Sequence, residues 1–382
     1  MEKLQNAKQK QDWRPVLLRL PWLLLLPLGL LLPQLCAGRQ QAMERYAQTL
    51  YPAIKDALCA VTSRLPFSLA EALLYALCIG VPLLLVSRLI LLCLRRITLA
   101  RFTQIVLSLL IAAGVALNLF YVTWGFNYFR APLPERMGLS LRERPVEELG
   151  DFTAALAKAA SALRETLPED EAGVFTVADS APAALFPELV DAYGTLAKEY
   201  PVFSGRVTPA KSVEWSEGLS WLGISGIYIG LTAEPNVNTH QPPLLMLHGA
   251  AHEMAHQLGI ASEDAAELVG FLACLYADRP EIVYSGLVNA LIHCGNALYR
   301  ADAAQYAFAY RQYSDALVRD LAAYRLYWQR YEGRAEEIAS QANDGYLKHN
   351  AQQSGIKSYG ESVDLLLALQ ESKNILAKIN YF

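Results

Sequence analysis

Apolar residues crowd three stretches of the first 126 positions, at 16–35, 69–94 and 104–124. The first contains Leu20–Leu35, the second is interrupted only by Glu71, Arg88 and a Gly80/Pro82 pair, and Ile105–Trp124 carries no charge. Each approaches or exceeds the roughly 20 residues that cross a ~30 Å hydrocarbon core. The basic leader before the first stretch also fits a cleaved signal peptide, but two more apolar stretches follow, so an uncleaved anchor is expected. Lys3, Lys8, Lys10, Arg14 and Arg19 precede the first span, and Arg95, Arg96 and Arg101 fill the link between the second and third. Basic flanks mark the cytoplasmic side. The Arg39–Pro66 loop and everything after Asn127 are therefore expected outside, although Arg39, Arg45, Lys55 and Arg64 weaken the asymmetry. Glu71 reads as an interfacial residue at the outer end of its span.

Beyond the spans the pattern changes period. Trp124–Arg130 forms an aromatic exit belt, and Pro132 and Pro134 stiffen the chain after it. Val146, Leu149, Phe152, Leu156 and Leu163 fall near one helical stripe, predicting a helix from Pro145 to about Leu167. A second helix is expected over Phe186–Tyr200. Between Val202 and Asn238, glycines at 218, 223, 226 and 230 punctuate short β structure, with a strand around Ile227–Leu231. Glu234–Asn238 reads as a break before a helix that Pro242-Pro243 starts. The strand reads either as the rim of a substrate cleft or as an ordinary hairpin on the core. Helices are expected at Glu281–Tyr299, Ala303–Leu326 and Glu361–Ile379. Ala342–Gly360 is polar, with turn residues at Gly345, Ser354-Gly355 and Gly360. The pattern thus predicts a mainly α chain with a membrane region at 1–126 and a mixed, largely helical domain at 127–382.

Composition adds little to this picture. A net charge of −4 gives no reason to expect nucleic acid as a partner. Six cysteines lie without a CxxC pair; Cys36, Cys78 and Cys93 read as small apolar residues, and a Cys274–Cys294 bridge is the one pairing considered.

The chemistry lies in His252-Glu253-Met254-Ala255-His256. Histidines four apart on a helix project from one face roughly 6 Å apart, a separation that lets both imidazoles reach one zinc ion at about 2.0–2.1 Å. The glutamate after the first histidine is placed as a general base rather than as a ligand. This is the zincin signature. Gly259 can end the helix, Ser262 can cap the next, and Glu263 and Glu267 share a face of that second helix. One of these acids is the expected third ligand. Glu263 is preferred because glutamate zincins place the ligand first and a supporting acid four residues later; Glu267 keeps the reverse assignment open. His248 also lies four before His252, but it is about 12 Å along the axis from His256 and has no adjacent base. It is expected one turn along the cleft or in solvent. Tyr346, His349 and Tyr359 are the candidates for a donor that stabilises a developing oxyanion.

Taken with Gly226-Ile227-Tyr228, Glu234–Asn238, His252–Cys274, Asn343–Lys348 and Ser358–Gly360, the Trp124–Arg130 belt resembles a bacterial membrane-protein family known as domain of unknown function 3810. That family's pattern after the second histidine reads Glu-Asp-Glu-Ala-Asn; here Glu263, Asp264 and Ala266 match, while Ala265 and Glu267 depart from it. The resemblance implies a zinc-dependent, peptidase-like protein without naming a substrate. The expected activity is peptide-bond hydrolysis by a zinc-activated water, with His252, His256 and Glu263 on the metal and Glu253 as base. The alternatives are a membrane-anchored metal-binding sensor without turnover and a zinc amidase acting on cell-wall material. Expected partners are the bilayer and a peptide or protein substrate.

Overall fold

A computed structural model describes residues 11–178, 180–352 and 362–379. Its three long apolar helices are α1 (Arg14–Cys36), α4 (Leu69–Cys93) and α5 (Leu99–Thr123). Two shorter helices, α2 (Gln40–Gln48) and α3 (Leu50–Thr62), connect α1 to α4. Each of the last two apolar helices has a capped start. Ser68 Oγ accepts from Glu71 N at 3.0 Å, and Thr98 Oγ1 from Arg101 N at 3.2 Å. α1 and α5 pack closely through glycines: a Cβ at Gly29 would lie 2.8 Å from Leu117 and one at Gly114 2.9 Å from the Leu26 nitrogen. Small residues of this kind let membrane helices approach. α4 stands apart, with none of its most apolar window buried.

The rest of the chain is mainly helical. After α6 (Val146–Arg164) and α7 (Glu188–Glu199) come strands β1 (Lys211–Ser212), β2 (Gly226–Ile229) and β3 (Glu234–Val237). Then follow α8 (Pro243–Gln257), α9 (Glu263–Leu275), α10 (Pro280–Ala301), α11 (Ala303–Tyr310), α12 (Asp315–Gln329), α13 (Arg334–His349) and α14 (Ser362–Lys373). The core lies where α6, α8, α9 and α10 meet, around Leu156, Leu247, Val269, Leu272, Leu287 and Leu291. Within it Arg164 Nε pairs with Asp320 Oδ2 at 2.6 Å, and the Tyr284 hydroxyl donates to the same oxygen at 2.6 Å. These bonds give the two buried charges the partners they need.

Several expectations change here. Glu234–Asn238 is not a break: β3 is the central strand of the sheet, parallel to β1 and antiparallel to β2. Its glutamate and the amide nitrogen of its asparagine find partners inside the fold, while Asn236 Oδ1 is buried without one. Glu234 takes Lys211 Nζ at 2.7 Å and the Leu69 and Ala70 amides at 3.1 and 2.8 Å, while Asn236 Nδ2 donates to the Ile227 carbonyl at 3.2 Å. The expected Ala303–Leu326 helix divides at Arg311–Ser314. The Ser161 hydroxyl on α6 holds the break, donating to Gln312 O at 2.8 Å and accepting from Ser314 N at 2.9 Å. Gly345 lies inside α13 rather than in a turn. Cys274 and Cys294 are both free thiols. Glu71 does more than sit at an interface, since its carboxylate accepts from the Glu214 and Trp215 amides at 3.0 and 2.8 Å and ties α4 to the sheet. Finally, α2 and α3, in the loop expected outside the membrane, reach the rest of the chain through the Glu44–Arg130 pair and the Tyr51 hydroxyl at the end of α8.

Candidate metal centre

α8 and α9 meet in a helical hairpin. Gly259, at φ 71°, supplies the left-handed turn after α8, and its tight surroundings leave no room for a Cβ, which would meet Asn127 Oδ1 at 2.8 Å. Gly270 lets the helices cross closely; a Cβ there would lie 3.0 Å from the His252 nitrogen. Ser262 occupies the N-cap position of α9 in an extended conformation, but its side chain makes no capping bond.

Carbonyls at the end of a helix need outside donors. At the end of α8 these come from two distant segments. The Tyr51 hydroxyl on α3 donates to His256 O at 3.3 Å and Gln257 O at 3.0 Å, and Trp124 Nε1, immediately after α5, donates to His256 O at 3.1 Å. The Gln257 side chain closes the same end, bonding Thr208 and the Ala233 carbonyl. Nothing in the sequence marked this support: Trp124, expected in an interfacial aromatic belt, is instead buried in the fold with Tyr128 and Phe129, and no local pattern singles out Tyr51.

His252, Glu253, His256 and Glu263 are all buried, at 6, 6, 5 and 9 % exposure. Glu263 Oε2 lies 3.1 Å from His252 Nε2 and 3.7 Å from His256 Nε2. The three donor atoms lie within 4.8 Å of one another. The other ring nitrogens are turned away: His256 Nδ1 is 2.6 Å from Ile260 O, and His252 Nδ1 is 3.5 Å from Glu267 Oε1. A proton on His256 Nδ1 satisfies that carbonyl and leaves the Nε2 lone pair facing inward. With His252 neutral, two imidazole nitrogens and a carboxylate converge as three acceptors that a cation would bridge; in the metal-free protein a proton on His252 Nε2, donated to Glu263, takes that role. A divalent ion with N and O ligands fits this donor set. Glu267 takes the supporting position, behind His252 and away from the point of convergence.

Without a metal, the positive charge of the site rests on His252. Burial opposes charge on His252, but the Glu263 bond and the charges of Glu267 and Glu253 raise it to about 10. Burial also works against charge on Glu263, yet the two histidines hold it well below the usual carboxylate range. Burial pushes the Glu253 carboxyl up to about 7, with His252 and His256 pulling the other way. Glu253 lies against the edge strand β2, where a Cβ on Gly226 would fall 2.7 Å from Oε1.

The remaining candidates separate. Tyr346 on α13, 39 % exposed as a residue, receives a hydrogen bond from the Tyr128 hydroxyl at 3.1 Å, and desolvation around its hydroxyl together with the Glu263 charge raises its pKa. His349, in the last turn of that helix, is exposed, and no contact among the described residues joins it to His252, His256 or Glu263. Tyr359 lies outside the described residues. His248 is not solvated: it is buried at 3 % exposure, one turn from His252 with ring centroids 6.4 Å apart, and 3.2 Å from Asn289 Nδ2. Tyr228 emerges as an unanticipated neighbour, its ring 6.2 Å from that of His256 and its hydroxyl 3.5 Å from Tyr51's.

The model of a protein family of unknown function, DUF3810, matches residues 46–367. The chain belongs to that family. The match starts within α2, so the DUF3810 region includes the Tyr51 support as well as the α8–α9 hairpin. Comparison with curated proteins and with solved structures gives no match.

Proposed function

We propose that this DUF3810 protein is a membrane-anchored, zinc-dependent peptidase with a zincin-like active domain. The observation that carries the reading is the convergence of His252 Nε2, His256 Nε2 and Glu263 Oε2, with the Glu253 carboxyl buried beside them. Bound there, zinc would supply the Lewis acidity that polarises a carbonyl and makes water nucleophilic near neutral pH.

The chain's own residues do the rest. Glu253 takes the proton from the attacking water on its carboxylate and returns it to the leaving amine nitrogen. Burial favours this role, because a carboxyl held near 7 in the metal-free protein accepts and releases a proton readily; a nearby dication would draw it lower. Glu267, 3.5 Å from His252 Nδ1 without a hydrogen bond between them, would steady the ring by charge while Nε2 points inward. β2, at the edge of the sheet, offers an extended substrate a strand to pair with beside Glu253. Tyr346 is the candidate donor to the developing oxyanion.

The anchor is α1, α4 and α5, each long and apolar enough to span a bilayer. Arg14, Arg19, Arg95, Arg96 and Arg101 gather near the ends remote from α3 and Trp124, which favours an extracytoplasmic active domain. In the test, Glu253→Gln retains zinc and lowers hydrolysis by about 10³-fold, read by zinc analysis and by proteomic comparison of variant and wild-type membranes. Unchanged cleavage by the variant would overturn the mechanism.

A further inference from the structure

A second cavity lies far from the metal centre, among the three apolar helices. About 250 Å³ in volume, it is lined by Arg19 of α1, Leu84 of α4, and Arg101, Gln104, Ile105, Ser108 and Leu109 of α5. The cations come from different helices and are held by polar neighbours. Arg19 Nε donates to Ser108 Oγ at 3.1 Å and Nη1 to Pro15 O at 2.8 Å; Arg101 Nη1 donates to Gln104 Oε1 at 2.6 Å. Neither guanidinium has a carboxylate within salt-bridge reach among the described residues, and each retains further N–H donors.

The local charge is one-sided. Across residues 11–37 and 88–108 there are six arginines, Arg14, Arg19, Arg88, Arg95, Arg96 and Arg101, against one acid, Asp12. Arg88, one turn beyond Leu84, has a buried Nε with no hydrogen-bond partner. Leu84, Ile105 and Leu109 make the remaining wall apolar. A ligand that suits both parts carries a negative headgroup with hydrogen-bond acceptors and a hydrocarbon chain.

We infer that this inter-helix cavity is a binding site for an anionic glycerophospholipid. Its phosphate lies between Arg19 and Arg101, and an acyl chain runs along Leu84, Ile105 and Leu109. The inference rests on the three helices spanning the membrane, not on the metal centre. Arginine suits the site because its planar fork bonds phosphate oxygens in pairs, and basic pockets between spans on the cytoplasmic side are suited to lipid headgroups.

The test uses the full chain in nanodiscs containing equal amounts of phosphatidylglycerol and phosphatidylcholine. Alkaline extraction first establishes membrane insertion; a chain released by alkali would overturn the proposal at its premise. After release into detergent, native mass spectrometry should show one retained phosphatidylglycerol per chain in preference to phosphatidylcholine. The double variant Arg19→Gln/Arg101→Gln should retain it about tenfold less, while Arg19→Lys/Arg101→Lys keeps most of the binding. An unchanged far-UV circular dichroism spectrum and thermal midpoint across the variants serve as the check on folding. Inorganic phosphate at millimolar concentration should not displace the lipid. Equal retention of both lipids, retention undiminished in the glutamine variant, or displacement by phosphate alone would each overturn the proposal.

Discussion

At His252, His256 and Glu263, two imidazoles face one carboxylate oxygen at 3.1 and 3.7 Å. Nearby, His248 and His293 face a single oxygen of Glu267 at 3.6 and 3.7 Å. Residue types and distances are almost the same, yet the chemistry differs. In the second group the Asn289 amide nitrogen stands 3.2 Å from His248 Nε2 and 2.8 Å from Glu267 Oε2. A neutral donor thus answers the acceptors, and the group is a satisfied hydrogen-bond network. Burial keeps His248 neutral, pushing it down to about 4. In the first group no amide intervenes, and in the metal-free protein a proton on His252 answers Glu263; the proposed zinc would replace it. Histidine spacing alone does not separate the two cases; what stands between the histidines does.

The largest effects that would break this contrast come from the ligands. His256→Ala or Glu263→Ala should reduce zinc from about one ion per chain to near zero, measured by atomic absorption after dialysis. A variant that keeps its full complement would remove that residue from the site. Glu267→Gln should weaken zinc by about 10–100-fold without abolishing it, as a competition titration with a chelator would reveal. Complete loss would instead make Glu267 a ligand and reverse the assignment.

Asn289→Leu should leave zinc affinity within about threefold while destabilising the fold by about 1–3 kcal/mol, because it strands buried acceptors. Denaturant unfolding measures that loss, and a large drop in zinc affinity would erase the distinction between the groups. The finest test is pH. In the metal-free protein, burial opposes the charge on His252 but Glu263 and the neighbouring carboxylates raise it to about 10 from 6.5. The raised value contributes its full stability below about pH 6.5 and loses it as pH climbs towards 10. Unfolding midpoints of the metal-free protein should therefore fall across that window, and zinc should flatten the slope. Identical slopes with and without zinc would count against His252 as a ligand.

The sequence revealed most where structure is local. The spacing of His252 and His256, the glycine stop at 259 and the three apolar helices depend on neighbouring residues, and all are present in the fold. Glu263, the first residue of α9, stands 3.1 and 3.7 Å from the Nε2 atoms of the two histidines, whereas Glu267, one turn on, approaches only the other nitrogen of His252 in that pair. What was hidden depends on remote partners. β3 carries glutamate and asparagine in buried positions, so no apolar alternation announces it; Lys211 and the start of α4 make those positions tolerable. The interruption between α11 and α12 is set by Ser161, some 150 residues away. The burial of His248 depends on Ser285 and Asn289, both on α10.

The hydrogen bond from Trp124 to His256 has a mechanical consequence. Thr123 ends α5, and the next residue's indole grips the carbonyl of a candidate ligand, with the two rings 5.8 Å apart. With α5 across a bilayer, the proposed metal would stand a fixed height above the lipid, about one side chain from the end of the span. The anchor would then work as a ruler. If the proposed activity holds, a bond to be cut would have to be presented at that height, which would favour chains that themselves emerge from the membrane over soluble proteins that drift past. A change in bilayer thickness that tilts α5 would move the ruler and the metal together.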